Sequence, residues 1–387
     1  NHSADMISSL SSGITNTTRD SLKLGIAIIS YAWLVDHITV YKLEPVWLAV
    51  IIAFIVEDFA GYWLHRMNHR VNVFWNRHII HHSSEEFNLS CALRQSISDT
   101  IHFGAVFMIP AALLGIPVSI FAIIGPIHLF MQFWYHTRLI DKMGWLEQVI
   151  VTPSHHRVHH AINPEYLDRN YSQIFIIWDK MFGTFQPEMK EVEPVYGIIR
   201  PAGTWNPVII NFKHIWQLIK DAWHTEQLID KMRIWFMPTG WRPKDVAESY
   251  PIIAIEDPAK QVKYETENSK WLVSWSWLQL TITNVFMLHL FFVIDSYEPV
   301  LVYLYAGFII ANVFSYTTVL DGKRSALGGE LAKLGFGLYL LWLQNLSWFG
   351  FQGVIVLGFI SYLLLSAALT VVFLQREKQQ KPTILTV

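Results

Sequence analysis

Residues 46–82 read VWLAVIIAFIVEDFAGYWLHRMNHRVNVFWNRHIIHH. Val46 to Leu64 is apolar over nearly the ~20 residues that a membrane-spanning helix needs, and it runs directly into HRMNH and then HIIHH. Positions i, i+3 and i+4 of a helix share a face, so His65 with His69, and His78 with His81 and His82, can converge on one place. The pattern recurs in SHHRVHH, where His156, His159 and His160 repeat the spacing and His155 is extra. With 17 histidines in 387 residues, two copies of His-x-x-His-His call for a cause other than coincidence.

The rest of the chain agrees with a membrane setting. It is 52% hydrophobic and 16% charged with a mean hydropathy of +0.29, which argues against an ordinary soluble globule. A single cysteine, Cys91, excludes an internal disulfide and a cysteine zinc framework. The formal charge of −2 gives no reason to expect nucleic acid as a partner. Apolar runs come in two sets: Leu22–Tyr41, Val46–Leu64, Ile101–Ile116 and Val118–Tyr135, then Trp271–Val293, Val300–Leu320, Leu334–Trp348 and Val354–Leu374. Pro110, Gly115 and Pro117 interrupt the stretch 101–135, which is expected to be a tilted or re-entrant hairpin if it is not two full spans.

The expected fold is all-α: a polytopic integral membrane protein with a cytoplasm-facing, helical, histidine-rich di-metal domain. Its divisions are residues 1–20, a tail with no assigned fold and no cleavable signal pattern; 21–136, the first membrane set with histidine motifs; and 137–237, a cytosolic or interfacial region completing the metal site. Residues 238–270 read as a linker, and 271–387 as the second membrane set with a basic C-terminal tail. Within the third division, Thr204–Phe236 mixes Trp, Ile and Leu with Lys at helical spacing, which suits a helix lying in the interface or packing on the polar region. Basic residues fall on one side of the runs, near Arg66, Arg70, Arg77 and Arg94, between Arg138 and Lys270, at Lys323 and Arg324, and at Arg376 and Lys378. Because Lys and Arg are retained on the cytoplasmic face, both histidine clusters and both termini are expected there.

The hairpin 101–135 leaves and returns on one side, so it can bring the two clusters together, and His136 follows its return. The nine candidates His65, His69, His78, His81, His82, His136, His156, His159 and His160 exceed the four ligands of a structural zinc and suffice for two ions. The isolated His2, His37, His102, His128, His214, His224 and His289 read as ordinary hydrogen-bonded residues. HRMNH lacks the glutamate of a His-Glu-x-x-His zinc protease. A zinc-binding membrane hydrolase or transporter is the alternative from another class.

Together HRMNH, HIIHH and HRVHH resemble the fatty acid hydroxylase and sterol desaturase superfamily of membrane di-iron oxygenases. The flanking HHSSEEFNLSCALRQS, TPSHHRVHH and IIWDKMFGTF are similar to its alkylglycerol monooxygenase branch, over about Glu57 to Phe185 and more loosely through VLDGKR in the second membrane set. The resemblance implies that the nine histidines ligate two iron ions, with His155 a further candidate, and that O2 is the co-substrate. It also implies an ether-lipid substrate cleaved to aldehyde and glycerol, with tetrahydrobiopterin as reductant. A fatty acyl or sterol hydroxylase or desaturase, fed by a redox partner protein, is the alternative within the superfamily. Arg70, directly after His69, stands where the animal members of the branch are expected to carry an acidic residue. Asp58 and Asp179 are expected to accept hydrogen bonds from ligand imidazoles. Asn88, Arg94 and Asn170 are candidates to orient substrate or water, and Gln132 stands where some relatives carry a further histidine. Trp63, Trp134 and Tyr135 read as interfacial anchors.

Overall fold

The computed structural model describes residues 2–376, so the basic tail expected beyond Arg376 lies outside the described residues. It is mostly helical, and among these residues the single ladder pairs Ile26–Ala27 with Ile101–His102. Among the described residues, five helices are long and apolar enough to cross a bilayer: Val46–Arg70, Lys270–Ser296, Pro299–Leu320, Ala326–Leu343 and Val354–Arg376. At 1.5 Å per residue the 25 residues of Val46–Arg70 exceed the ~30 Å hydrocarbon thickness. The chain is an integral membrane protein.

The first membrane set contains one full-length span, not the two or more that four apolar runs suggested. Leu22–Tyr41 breaks into a two-residue strand and the eight-residue helix Tyr31–Ile38, which starts where Ser30 Oγ accepts from Trp33 N. Ile101–Ile116 becomes a strand, a 3₁₀ turn and the five-residue helix Ile109–Leu113, and the return helix Val118–Phe130 has 13 residues, roughly 20 Å. Gly115 makes the tight turn between them. Its φ is +60°, and a Cβ there would lie 2.9 Å from the Tyr41 carbonyl oxygen.

The stretch expected as a tail without a fold is helical from residue 2 on, and this is a second correction. His2–Ser21 is one helix, packed between the second membrane set and the histidine-bearing region. It lacks a conventional apolar stripe because Ser8, Ser9, Ser11, Ser12, Thr15 and Thr18 are themselves fully buried. Such small side chains let helices approach closely, and some of their hydroxyls find partners: Ser11 Oγ lies 2.6 Å from Tyr316 OH, and Thr15 Oγ1 donates to Ser12 O. Asp5 in its first turn pairs with the buried Arg94 at 2.7 Å.

The second set forms a four-helix bundle around Leu290, Tyr305, Phe308, Leu340, Phe359 and Leu363. Inside it Glu330 Oε1 accepts from Lys333 Nζ, Ser315 Oγ and Ser366 Oγ, all at 2.8 Å, which ties three of the helices together. The bundle joins the polar region through Asp321, whose carboxylate accepts from Trp205 N, Tyr264 OH and Thr204 Oγ1. The stretch expected as a linker thus contributes a buried tyrosine to this junction. Asn206 caps the helix Pro207–His224 by accepting from Val208 N and Ile209 N. That helix buries Ile210, His214 and Leu218 against the polar region and leaves Phe212, Trp216 and Trp223 exposed on its outer face.

Candidate metal centre

The last turns of Val46–Arg70 carry His65 and His69 on one face. Two short helices face them: Ile79–His82, which follows His78, and Pro153–His159, which runs on to His160. His136 arrives from the turn after the hairpin. Nine imidazoles converge into two groups, His65, His69, His78, His82 and His159 in one, and His81, His136, His156 and His160 in the other. Within each group the ligand atoms all lie within 4.8 Å of one another. Neither triplet serves a single group. The i, i+4 pairs His78/His82 and His156/His160 stay together while His81 and His159 cross over, because i+3 and i+4 lie roughly 100° apart around a 3.6-residue helix.

Hydrogen bonds on the far side of the rings settle the tautomers. His65 Nδ1 donates to Tyr171 O at 2.7 Å, His81 Nδ1 to Arg94 O at 3.2 Å, His136 Nδ1 to Gln132 O at 3.1 Å and His159 Nδ1 to Arg169 O at 3.0 Å. A carbonyl only accepts, so each of these Nε2 atoms presents a lone pair inward. His81 Nε2 and His136 Nε2 then face each other at 3.3 Å with no proton between them. The other inward contacts are 2.8 Å for His65 with His78, 3.0 Å for His78 with His82, 2.9 Å for His136 with His156 and 3.0 Å for His156 with His160. His69 Nε2 and His159 Nε2 are buried without a hydrogen-bond partner. Lone pairs crowded in this way repel unless a cation sits among them. Nitrogens ~2.1 Å from one ion and at right angles lie about 3 Å apart, so the donor set fits metal.

Electrostatics points the same way. Burial, then the neighbouring imidazoles, push His78, His82, His156 and His160 well below the usual imidazole range. His81 and His159 shift likewise, against the opposing pull of their carbonyl partners. Burial brings His136 down to about 4. All seven are neutral at physiological pH, the form that ligates metal. Phe87 and Tyr135 wall the four-histidine group, with rings 5.3 Å from His160 and 4.3 Å from His156 respectively. Tyr135 is 3% exposed, so it is a wall of the site and not the interfacial anchor expected.

The other candidates take different places. His155 joins neither group: its Nδ1 accepts from Thr152 N at 3.3 Å, completing a capping box, and its ring meets Phe185 edge-on. His155→Ala should therefore keep the metal content unchanged and cost about 1 kcal/mol of stability through the lost cap. Metal analysis and thermal unfolding check this, and metal loss like that of a ligand variant would reverse the assignment. Asp58 and Asp179 take no hydrogen bond from the nine imidazoles. They hold the backbone that does: Asp179 accepts from Tyr171 N and Ser172 N at 2.8 Å, Asp58 from Ile174 N and Phe175 N. Asn88 closes a local turn on Ser90, and Gln132 turns its side chain to His128 while its carbonyl receives His136. Arg94 donates to Asp5, Ser83 and Ser9, and its carbonyl receives His81. Asn170 braces a turn by donating to His155 O and Gln186 O. Sequence reasoning missed Asp168, whose Oδ1 lies 3.6 Å from His69 Nδ1. Its signal was the polar run Asp168-Arg169-Asn170, soon after HRVHH.

A histidine-walled centre at the end of a spanning helix defines a class, and the sequence profile of the fatty acid hydroxylase family matches residues 50–184. The chain belongs to this family. Among curated relatives it is similar to the alkylglycerol monooxygenase of Homo sapiens, 34% identical over 330 residues that cover 83% of this chain and 72% of the relative. The alkylglycerol monooxygenase of Xenopus tropicalis is 33% identical over 341 residues, 87% of this chain and 75% of the relative. An ornithine lipid hydroxylase of Rhizobium tropici is 30% identical over 141 residues, 36% of this chain and 43% of its own length. No solved structure matches significantly.

Proposed function

We propose that this chain is a di-iron lipid monooxygenase that oxidises the ether-bearing carbon of an O-alkylglycerol, with its site on the cytoplasmic face. The observation that carries the proposal is the pair of buried, neutral imidazole groups, five and four, at the end of Val46–Arg70. The names of the similar proteins, which cover most of this chain, supply the substrate class. Bound iron supplies the redox chemistry by which O2 oxidises a C–H bond. In the balance, one oxygen atom enters the C–H bond and the other leaves as water, with two electrons and two protons drawn from tetrahydrobiopterin. The resulting hemiacetal breaks to a fatty aldehyde and glycerol.

The protein's own part is positional. Backbone carbonyls of Tyr171, Arg94, Gln132 and Arg169 hold the Nδ1 protons and so aim each ring. Phe87 and Tyr135 exclude water from one side. Because the donors gather at a helix end, they lie near the headgroup boundary, where a bond close to the glycerol can reach them without lifting a chain end from the bilayer. The basic residues near the site-side helix ends support the cytoplasmic leaflet as that boundary.

Iron-loaded protein given O2, tetrahydrobiopterin and labelled 1-O-alkylglycerol should release fatty aldehyde. Aldehyde formed with a different reductant but not with the pterin would keep the substrate and replace the donor. A hydroxylated or unsaturated acyl or sterol product, with no aldehyde from ether lipid, would overturn the proposal.

A further inference from the structure

Next to the five-histidine group lies a pocket that the oxidation chemistry does not use. It measures about 270 Å³ and opens between the last turn of Val46–Arg70 and the turns at 167–171 and 183–184. Three guanidiniums line it, Arg66, Arg70 and Arg169, against one carboxylate, Asp168. Arg70 Nη1 donates to Asp168 Oδ2 at 3.2 Å, which offsets one of the three charges. Arg66 donates to Tyr62 OH at 3.0 Å and lies over the Trp63 ring, while Arg169 Nη1 donates to Gly183 O at 3.4 Å. A guanidinium has five N–H donors in a fork that suits phosphate and carboxylate, and these bonds leave most of them available.

Arg66 and Arg70 alone could be explained as basic residues marking the end of a membrane span. Arg169 cannot, because it comes from a loop 99 positions beyond Arg70 and is presented by a turn of unusual backbone. Asp168 on one side of it and Asn170 on the other have φ of +59° and +55°, a region that costs non-glycine residues strain, and Asn170 holds the turn through both ends of its amide. The Tyr171 phenol, buried near Asp168, Arg70 and Arg66, makes no hydrogen bond of normal geometry. The pocket is one side chain away from the histidines: Asp168 Oδ1 is 3.6 Å from His69 Nδ1, and the Tyr171 ring is 5.2 Å from that of His69.

We infer that this pocket binds an anionic phosphate group, and that the phosphate belongs to the headgroup of the lipid whose chain lies in the adjacent site. The location decides the source: the arginines stand at the end of a spanning helix, at the depth where lipid phosphates lie. Phosphate-bearing ether lipids would then be held in preference to uncharged alkylglycerols. This assignment rests on the lipid-oxidation proposal, so the test reads binding and not turnover.

Full-length protein in an uncharged detergent is titrated with 1-O-hexadecylglycerol 3-phosphate, with 1-O-hexadecylglycerol and with inorganic phosphate, for the wild type and for Arg70→Gln, Arg169→Gln and their double variant. The phosphate lipid should bind about tenfold more tightly than the uncharged one, and each substitution should remove much of that preference. Affinity for the uncharged lipid should move less than twofold. The Arg70 side chain is 57% exposed and Arg169 is part-exposed, so thermal unfolding should stay unchanged and separate a binding defect from misfolding. Equal affinity for the two lipids, or a preference that survives in the double variant, would overturn the inference. Inorganic phosphate that binds as tightly as the lipid and displaces it would overturn the headgroup assignment in favour of a free anion. A phosphate preference lost on substitution, in a protein that oxidises no ether lipid, would uphold the pocket and overturn the oxidation proposal instead.

Discussion

His81→Ala and His159→Ala should each abolish turnover, by at least ~100-fold, while the protein remains inserted in the membrane. The two variants should differ in metal. His81 belongs to the group of four and its loss leaves three donors, whereas loss of His159 from the group of five leaves four. Metal analysis of purified protein should therefore show about one ion missing in His81→Ala and a smaller deficit in His159→Ala. His224 provides the control: it is exposed, its Nδ1 donates to Lys220 O, and His224→Ala should change activity less than twofold. Full activity in either ligand variant would end the case for a shared two-ion site.

Asp58→Ala should be the most destabilising single change outside the histidines. This carboxylate is fully buried and accepts four hydrogen bonds: from Ile174 N at 2.9 Å, Phe175 N at 3.0 Å, Trp178 Nε1 at 2.8 Å and His128 Nε2 at 2.9 Å. Removing it strands two backbone amides, an indole and an imidazole where water cannot replace the lost partner. A loss of roughly 3–5 kcal/mol follows, read as a fall in the thermal midpoint of several degrees. The damage should reach the metal site, because the loop that Asp58 anchors begins just after Tyr171, whose carbonyl orients His65. Metal affinity should fall ~10-fold or more. Asp58→Asn offers little rescue, since its NH2 would point at N–H donors. Trp178→Phe, which removes one donor and leaves the carboxylate in place, should be much milder. A wild-type midpoint in Asp58→Ala would show that the loop is held by something else.

The spans of the second membrane set were legible because long runs such as Val354–Leu374 leave little choice: twenty apolar residues in sequence must satisfy their backbone internally and meet lipid. The histidines were legible for the same local reason, since spacings of three and four residues mean one face of a helix. Leu22–Tyr41 misled because hydropathy counts side chains and ignores capping. Ser30 starts a short helix inside the run, and residues 26–27 find a ladder partner 75 positions away at residues 101–102. The helix His2–Ser21 was invisible because its buried face is built of serine and threonine, which burial patterns read as surface.

From the sequence alone follow the membrane class, the family and the nine imidazoles that meet, all of which depend on the order of neighbouring residues. Only the tertiary structure divides those imidazoles into five and four and sends the middle histidine of each triplet, His81 or His159, to the group opposite its two ends. It alone shows that Asp58 and Asp179 brace a loop while carbonyls of Tyr171, Arg94, Gln132 and Arg169 take the Nδ1 protons. Every residue carries an identical carbonyl, so nothing in the identity of a side chain marks which ones will face a ring. That choice is made by how the chain packs.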